Sequence, residues 1–193
     1  MAVYLYIFVV ALITGLSALF ALILTLLFPK FRTWPPPDKR SWQFWFWYLL
    51  TAIWVPGLIV VGILDWESFW YSHWSRFIIG GLSVSFGFFF IVWGMRTLSW
   101  HQSLGLKGTF RTKGPYQYIR NPQYVGNVLL TAGIILITNS FMALVVGILA
   151  ILWFVLAPFS EEPWVREQFG REYDEYCKSV PRFVGKASFK RKS

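Results

Sequence analysis

The chain has few of the residues that build disulfide frameworks and metal sites. Its 193 residues include one cysteine, Cys177, and two histidines, His73 and His101. A single thiol forms neither an intrachain disulfide nor a cysteine-rich metal site. The two histidines fall in loops that we predict to lie on opposite sides of a membrane, so we expect no histidine-based metal site. The sequence therefore predicts a site without a metal ion.

Charged residues are also scarce, at 14% of the chain, whereas 56% of the residues are hydrophobic. This composition is too apolar for an ordinary soluble domain. A run of about 20 apolar residues is long enough to span a bilayer. Five such runs occur, near residues 3–28, 43–64, 77–98, 123–138 and 141–159. We therefore predict an all-α integral membrane protein with about five transmembrane helices.

The positive charge is distributed unevenly between the loops. Of the 18 Lys and Arg residues, four lie in 29–42, five in 96–121 and eight after residue 160, and Arg76 is the only one elsewhere. Cytoplasmic loops of membrane proteins carry an excess of Lys and Arg. The pattern predicts a multi-pass protein with its N-terminus outside and its C-terminus in the cytoplasm. It also explains the net charge of +9 by contact with anionic membrane lipids rather than with nucleic acid.

The composition changes near residue 98. We interpret residues 1–98 as an N-terminal three-helix membrane region, because three apolar spans follow one another with short loops between them. Residues 99–193 combine a long polar loop, a helical hairpin and a charged tail, and we expect this half to hold a cofactor. The two parts are expected to form one structural unit.

The third span carries a face of small residues, Gly80, Ser83 and Gly87. Small residues allow two membrane helices to pack closely, and this is the interpretation that we favour. The alternative is that the face makes room for a bound ligand. The same face would also permit a homodimer.

The tail after the hairpin has the pattern of an amphipathic helix. We predict that the last span ends near Pro158 and that Ser160 caps a separate helix over 161–180. Apolar residues recur there at spacings of three and four, which is typical of one helix face. They are Val165, Phe169, Tyr173, Tyr176 and Val180. Such a helix either lies on the membrane surface or folds over the mouth of the bundle.

An arginine and two carboxylates flank the hairpin. Arg120 precedes its first helix and Glu161 and Glu162 follow its second, so the hairpin brings the three to the same membrane level. Ionisable groups at a membrane boundary are functional candidates when they do more than anchor the chain. The simpler alternatives are an interfacial anchor for Arg120 and a helix N-terminus that favours negative charge for the carboxylates.

Three tyrosines near Arg120 extend this group, namely Tyr116, Tyr118 and Tyr124. Aromatic faces attract cations, and a guanidinium can hold a carboxylate through two hydrogen bonds. S-adenosylmethionine has a carboxylate, an ammonium, a ribose and a sulfonium, and it would use all of these groups. Several nucleotides and lipid headgroups could use the same set.

Two motifs in the C-terminal half resemble those of a family of integral-membrane methyltransferases. The segment Arg120-Asn121-Pro122-Gln123-Tyr124-Val125-Gly126 is similar to the Arg-His-Pro-x-Tyr-x-Gly signature of the isoprenylcysteine carboxyl methyltransferase and phospholipid methyltransferase group. The stretch from Glu161-Glu162 to Val180-Pro181-Arg182, with Phe169-Gly170 and its spaced tyrosines, is similar to the ending of that family. The resemblance covers about 96–183.

The resemblance implies a pocket for S-adenosylmethionine on the cytoplasmic side, closed by the C-terminal helix. A lipophilic methyl acceptor would enter from the bilayer. The candidate cofactor-binding residues are Tyr116, Tyr118, Arg120, Asn121, Pro122, Tyr124, Gly126, Glu161 and Glu162. The candidate catalytic residues are Arg120, Glu162 and His101. His101 would act as a base for a phenol, amine or thiol acceptor, and its alternative is an exposed loop imidazole.

Asn121 departs from the family pattern, which often has His at this position. An amide forms hydrogen bonds but cannot act as a base near neutral pH. Two other functions also stay open. Membrane reductases of the sterol Δ14-reductase type use NADPH and have an ending like Tyr176-Cys177-x-x-Val180-Pro181. A non-catalytic membrane scaffold could also keep the fold. The Glu161-Glu162 pair and the small size favour the methyltransferase.

Overall fold

The computed structural model describes residues 2–98, 100–185 and 188, and the regular secondary structure within them is helical. Six α-helices follow one another, with 3-10 turns at Pro29–Phe31 and Gly114–Gln117. The helices are α1 (Ala2–Leu27), α2 (Trp42–Leu64), α3 (Ser75–Thr97), the short α4 (Trp100–Ser103), α5 (Pro122–Thr138) and α6 (Phe141–Ser179). The tail residues 186–187 and 189–193, which belong to the predicted C-terminal half, lie outside this description.

Four of these helices, α1, α2, α3 and α6, are long and apolar enough to cross a membrane, and α5 is a shorter apolar helix. Large apolar side chains cover the outside of the bundle; Phe86 and Phe88 on α3, for example, are 57% and 62% exposed. Such a surface is suited to lipid rather than to water. The prediction of an all-α, multi-pass membrane protein with about five helices is confirmed.

The last helix is longer than predicted. The expectation that it ends near Pro158 and that Ser160 caps a new helix is wrong, because α6 continues through Pro158 and Pro163 and is interrupted only at Gly170, before its last turns to Ser179. Proline removes a backbone donor, but membrane helices tolerate it where side chains and neighbouring helices satisfy the freed carbonyls. The Ser160 hydroxyl donates to the Ala157 carbonyl at 2.8 Å. Glu161 and Glu162 therefore lie inside a helix and not at its N-terminus.

The small face of α3 packs against α5. A Cβ atom placed on Gly87 would lie 2.6 Å from the Gly126 carbonyl oxygen, and one on Gly133 would lie 2.7 Å from the Gly80 carbonyl oxygen. Both distances are far below van der Waals contact, so only glycine allows the two backbones to approach this closely. The packing interpretation is confirmed, and the alternative that this face makes room for a ligand is wrong. The face is used within the chain and is not available for a homodimer.

The loop between α2 and α3 fastens one end of the bundle, which we call the far end. Asp65 accepts hydrogen bonds from the Ser140 hydroxyl at 2.6 Å and from the Met142 backbone at 3.0 Å. Glu67 donates its backbone N–H to the Thr138 carbonyl at 3.0 Å. These contacts hold the turn between α5 and α6 against α2, so the far end is built from backbone caps rather than from an open site.

The opposite end of the bundle is packed around aromatic residues from α2, from α6 and from the segment between α1 and α2. Trp47 and Trp153 are 5% and 8% exposed, and their ring centroids lie 5.3 Å apart. The segment between α1 and α2 covers these rings, because Trp47 Nε1 donates to the Thr33 carbonyl at 2.8 Å. This aromatic cluster forms the floor of the cavity described next.

Candidate functional site

A cavity of about 420 Å³ lies at the end of the bundle opposite the far end. Its walls come from the segment before α2, the start of α2, residues 102–111, the start of α5 and the middle of α6. The volume lies within the range of about 300–1,000 Å³ that is typical of ligand pockets. The long loop that precedes α5 therefore supplies one wall of the cavity.

Six of the nine predicted cofactor-binding residues line this cavity. They are Tyr116, Arg120, Asn121, Tyr124, Glu161 and Glu162. The other three are not part of the lining: Tyr118 is 48% exposed, Pro122 is buried as the first residue of α5, and Gly126 packs against α3. The side chain of His101, the predicted base, lies outside the described part of the chain.

Glu161 is held by two neutral donors. Its Oε1 accepts hydrogen bonds from Trp34 Nε1 at 2.8 Å and from the hydroxyl of Tyr124. Among the described residues, no Lys or Arg forms an ion pair with this carboxylate. Its carboxyl group therefore lines the cavity without a cationic partner among the described residues. When ionised, such a group attracts a cationic ligand.

Glu162, the next residue, is in the opposite situation. Arg182 donates hydrogen bonds to both of its oxygens, from Nε to Oε1 at 2.7 Å and from Nη2 to Oε2 at 2.6 Å. Arg120 Nη1 lies 3.3 Å from Oε1. Glu162 is only 7% exposed. Two parallel N–H···O bonds to a carboxylate are among the strongest polar contacts in proteins. Glu162 therefore joins the start of α5 to the segment after α6.

Arg120 links several parts of the site. Its backbone N–H donates to the Pro181 carbonyl at 2.9 Å, and its Nη1 donates to Cys177 Sγ at 2.7 Å. Its Nε is buried and has no hydrogen-bond partner among the described residues. A buried donor without a partner is costly. Because Arg120 lines the cavity, an anionic group of a ligand could satisfy this donor.

Asn121 immediately precedes α5, with Pro122 at the first helical position. Its side chain does not cap the helix, because Nδ2 donates instead to the Arg182 carbonyl at 3.2 Å. Asn121 therefore holds the segment after α6. This role needs a hydrogen-bond donor and no change of charge, and an amide side chain provides such a donor.

The predicted amphipathic stripe closes the cavity. Tyr173, Tyr176 and Val180 are buried, and they pack with Phe169 against Phe110 from the long loop. The Tyr176 hydroxyl donates to the Tyr116 carbonyl at 2.5 Å. The end of α6 therefore lies across the loop as a roof, and this agrees with the prediction that it folds over the mouth of the bundle.

The roof changes direction at Gly170, where the backbone leaves helical geometry with φ of +51° and ψ of −126°. Residues with a Cβ avoid this combination.

Below the roof, burial raises the pKa of Tyr116 far above its ordinary value near 10, although a hydrogen bond from Gln123 acts in the opposite direction. The Tyr116 phenol is therefore a neutral hydrogen-bonding group at any physiological pH.

Two contributors were not among the predicted site residues. Arg182 was visible only as the last residue of the Val-Pro-Arg ending, and a sequence gives no sign that it reaches back to Glu162. Trp34 follows α1 and lies 127 positions before the carboxylate that it contacts. Its position next to Pro35-Pro36-Pro37 was the only local signal that this segment is fixed.

Comparisons with known proteins agree on one family. A family model described as phospholipid methyltransferase matches residues 75–172, which is just over half of the chain. Protein-S-isoprenylcysteine O-methyltransferase B of Arabidopsis thaliana is 31% identical over 74 residues. That match covers 38% of this chain and 38% of the plant protein, well under half the length of either. No solved structure matches the chain.

Proposed function

Because this chain belongs to the phospholipid methyltransferase family, we propose that it transfers the methyl group of S-adenosylmethionine to a lipophilic acceptor. The acceptor is an isoprenylcysteine-type carboxylate or another hydrophobic lipid nucleophile. One observation carries this proposal. A single cavity is lined by Glu161, which has no cationic partner among the described residues, and by Arg120, whose buried Nε has no hydrogen-bond partner among them, beside an apolar wall.

The residues present fit S-adenosylmethionine. This molecule has two cationic groups and a carboxylate, so it needs an anion, a cation and aromatic surface within one pocket. Glu161 would hold a positive group, and Arg120 Nε would hold the carboxylate. The rings of Trp34, Trp153 and Tyr124 line the same cavity and attract cations through their faces. When bound, S-adenosylmethionine supplies an electrophilic methyl carbon on its sulfonium.

The protein would contribute mainly alignment and the exclusion of water. Methyl transfer requires the nucleophile, the methyl carbon and the leaving sulfur to lie in line, and holding them so removes much of the entropic barrier. The roof formed by Phe169, Tyr173 and Tyr176 would keep water from the reacting groups. Loss of the contact between Tyr176 and Tyr116 would therefore impair the reaction without removing any charged group.

The start of α2 suggests how the acceptor arrives. Phe44, Tyr48, Thr51 and Val55 line the cavity from one side of this helix. Tyr48 and Val55 are also 55% and 44% exposed on the outside of the bundle, which faces lipid. A hydrophobic chain could lie along this wall and bring its polar end to Arg120 and Glu161. An acceptor carboxylate would need no base, whereas an amine or a thiol would have to lose a proton.

On this proposal the cavity end of the bundle faces the cytoplasm, where a water-soluble cofactor is available. The Lys and Arg residues of 29–42 and 96–121 are at that end and support this orientation. Arg76, which lies in the first turn of α3 near the far end, is paired with Glu67. Protease or reporter fusions at the two termini would test this topology.

Calorimetry tests the cofactor directly. Detergent-solubilised protein is titrated with S-adenosylhomocysteine and, separately, with NADPH. We expect the first ligand to bind and the second not to bind. Binding of NADPH alone would support a reductase of the sterol Δ14-reductase type instead, and binding of neither would support a scaffold.

The acceptor is tested in a second step. Membranes that contain the protein are incubated with S-adenosylmethionine labelled in its methyl group, and lipid and protein fractions are then separated. Label that enters the lipid fraction identifies a lipid acceptor, and label in the protein fraction indicates a prenylated protein carboxylate. A Glu161→Gln variant serves as the control, because it keeps the shape of the site and removes the charge.

A further inference from the structure

Trp34 lies outside the region that the family model matches, yet its side chain reaches the centre of the candidate site. Its indole Nε1 donates to Glu161 Oε1 at 2.8 Å and lies 3.2 Å from the hydroxyl oxygen of Tyr124. We propose, on the basis of the function proposed above, that Trp34 is a positioning residue that holds the Glu161 carboxylate toward the positively charged part of the ligand. The N-terminal part of the chain would then contribute to the site as well as to the membrane anchor.

The hydrogen bonds to Glu161 have a common direction. Trp34 and Tyr124 both donate to Oε1, and the described residues give no hydrogen bond to Oε2. Two donors on one oxygen restrict rotation of the carboxylate and leave the other oxygen for a ligand. A side chain that must be ordered when the ligand binds adds an entropic cost to binding. Holding the carboxylate in one orientation beforehand lowers this cost and so strengthens binding.

Trp34 is itself held on both sides. Its ring packs edge-on against Trp47 and Trp153, with centroids 5.7 and 5.6 Å away. The preceding residue, Thr33, is tied to α2 through the N–H of Trp47 at 2.8 Å. From the long loop, Gly105 comes so close that a Cβ there would lie 3.1 Å from the Trp34 ring. The indole therefore has little freedom to move away from Glu161.

The hydrogen bond of Trp34 is not a by-product of burying tryptophan in this fold. Trp54 and Trp153 are also buried, and their indole N–H groups have no hydrogen-bond partner among the described residues. Trp47, which is also buried, donates its indole N–H to the Thr33 carbonyl, so buried indole N–H groups in this fold occur both with and without a partner. The N–H of Trp34, in contrast, is directed at the one lining carboxylate that has no guanidinium partner.

A double-mutant cycle tests the proposal. The variants are Trp34→Phe, Glu161→Gln, the combination of the two, and Trp54→Phe as the control. Each Trp→Phe change removes an indole N–H and keeps an aromatic ring, but Trp54 lies outside the cavity lining and its N–H has no hydrogen-bond partner among the described residues. S-adenosylhomocysteine binding is measured by calorimetry, and thermal unfolding is followed in the same detergent.

We expect Trp34→Phe to weaken S-adenosylhomocysteine binding about tenfold, which corresponds to the loss of one hydrogen bond to a charged group. In the Glu161→Gln background the same change should have almost no further effect, because residues that act through one another are not additive. Trp54→Phe should bind like the wild type.

The other outcomes are distinguishable. If the wild type does not bind S-adenosylhomocysteine, the proposed function is wrong, and the positioning role is wrong with it. If the wild type binds and Trp34→Phe binds equally well, the positioning role alone is wrong. If Trp34→Phe weakens binding by the same factor in both backgrounds, Trp34 acts through packing and not through Glu161.

Discussion

The adjacent carboxylates Glu161 and Glu162 should respond in opposite ways to the same substitution. In Glu162→Gln, two guanidinium groups lose their shared carboxylate in a site where Glu162 is 7% exposed. Removal of one partner of a buried ion pair costs about 3–5 kcal/mol. Because the Arg182 side chain is 30% exposed, we expect the lower end, about 3 kcal/mol.

For a protein of this length, each 1 kcal/mol shifts the unfolding temperature by about 2–4 °C, so Glu162→Gln should lower it by roughly 6–12 °C. The measurement is thermal unfolding of the detergent-solubilised protein. Glu161→Gln should leave the unfolding temperature unchanged or raise it, because a neutral amide replaces a buried carboxyl group that forms no ion pair with the described residues. The same Glu161→Gln substitution should weaken S-adenosylhomocysteine binding.

A surface ion pair supplies the matched control. Arg166 and Asp174 lie 2.7 Å apart, but their side chains are 49% and 48% exposed. Exposed pairs contribute about 0–1 kcal/mol, so Asp174→Asn should hardly change the unfolding temperature. If Glu162→Gln were no more destabilising than Asp174→Asn, Glu162 would not fasten the segment after α6, and the division of roles between the two carboxylates would be refuted.

Two further predictions concern the rest of the bundle. Gly87→Ala should destabilise the protein by about 1–3 kcal/mol, because the new Cβ would lie 2.6 Å from backbone atoms of α5. Gly81→Ala is the control and should not destabilise it, because nothing lies within 4 Å of its Cβ. Equal unfolding temperatures of the two variants would contradict the close packing. At the far end, desolvation raises the pKa of Asp65, but hydrogen bonds from Ser140, Ser68 and the Met142 backbone together lower it below 3.8. The stabilisation by Asp65 is therefore present above that value and lost as the pH falls through the lowered pKa. The difference in unfolding temperature between wild type and Asp65→Asn should shrink in acid, and a constant difference would contradict this account.

Hydropathy and periodicity predicted the architecture well. The five apolar runs match α1, α2, α3, α5 and the first part of α6 to within about two residues at most boundaries. The stripe from Val165 to Val180 predicted the face that packs on Phe110. These signals are local, because burial in lipid or against one neighbouring loop leaves its mark on consecutive residues.

The continuation of α6 could not be read in this way. Pro158 and Pro163 are helix breakers in a local pattern, whereas membrane helices tolerate proline inside the folded bundle. The roles of Trp34 and Arg182 were equally hidden. Both residues act through a partner on α6 that only the tertiary fold brings near, so neither has a periodic or compositional signal.

The length of α6 also fixes the distance between the two ends of the protein. Asp65 fixes the start of this helix at Ser140 and Met142. Glu161 follows twenty residues after Phe141, so it lies about 30 Å along the helix axis, close to the thickness of a bilayer core. Adding or removing one residue between them would turn Glu161 by about 100° and point it away from Trp34. The helix therefore cannot be shortened or lengthened to suit a thinner or thicker membrane without dismantling the site, and we expect the bundle to adapt to such membranes by tilting.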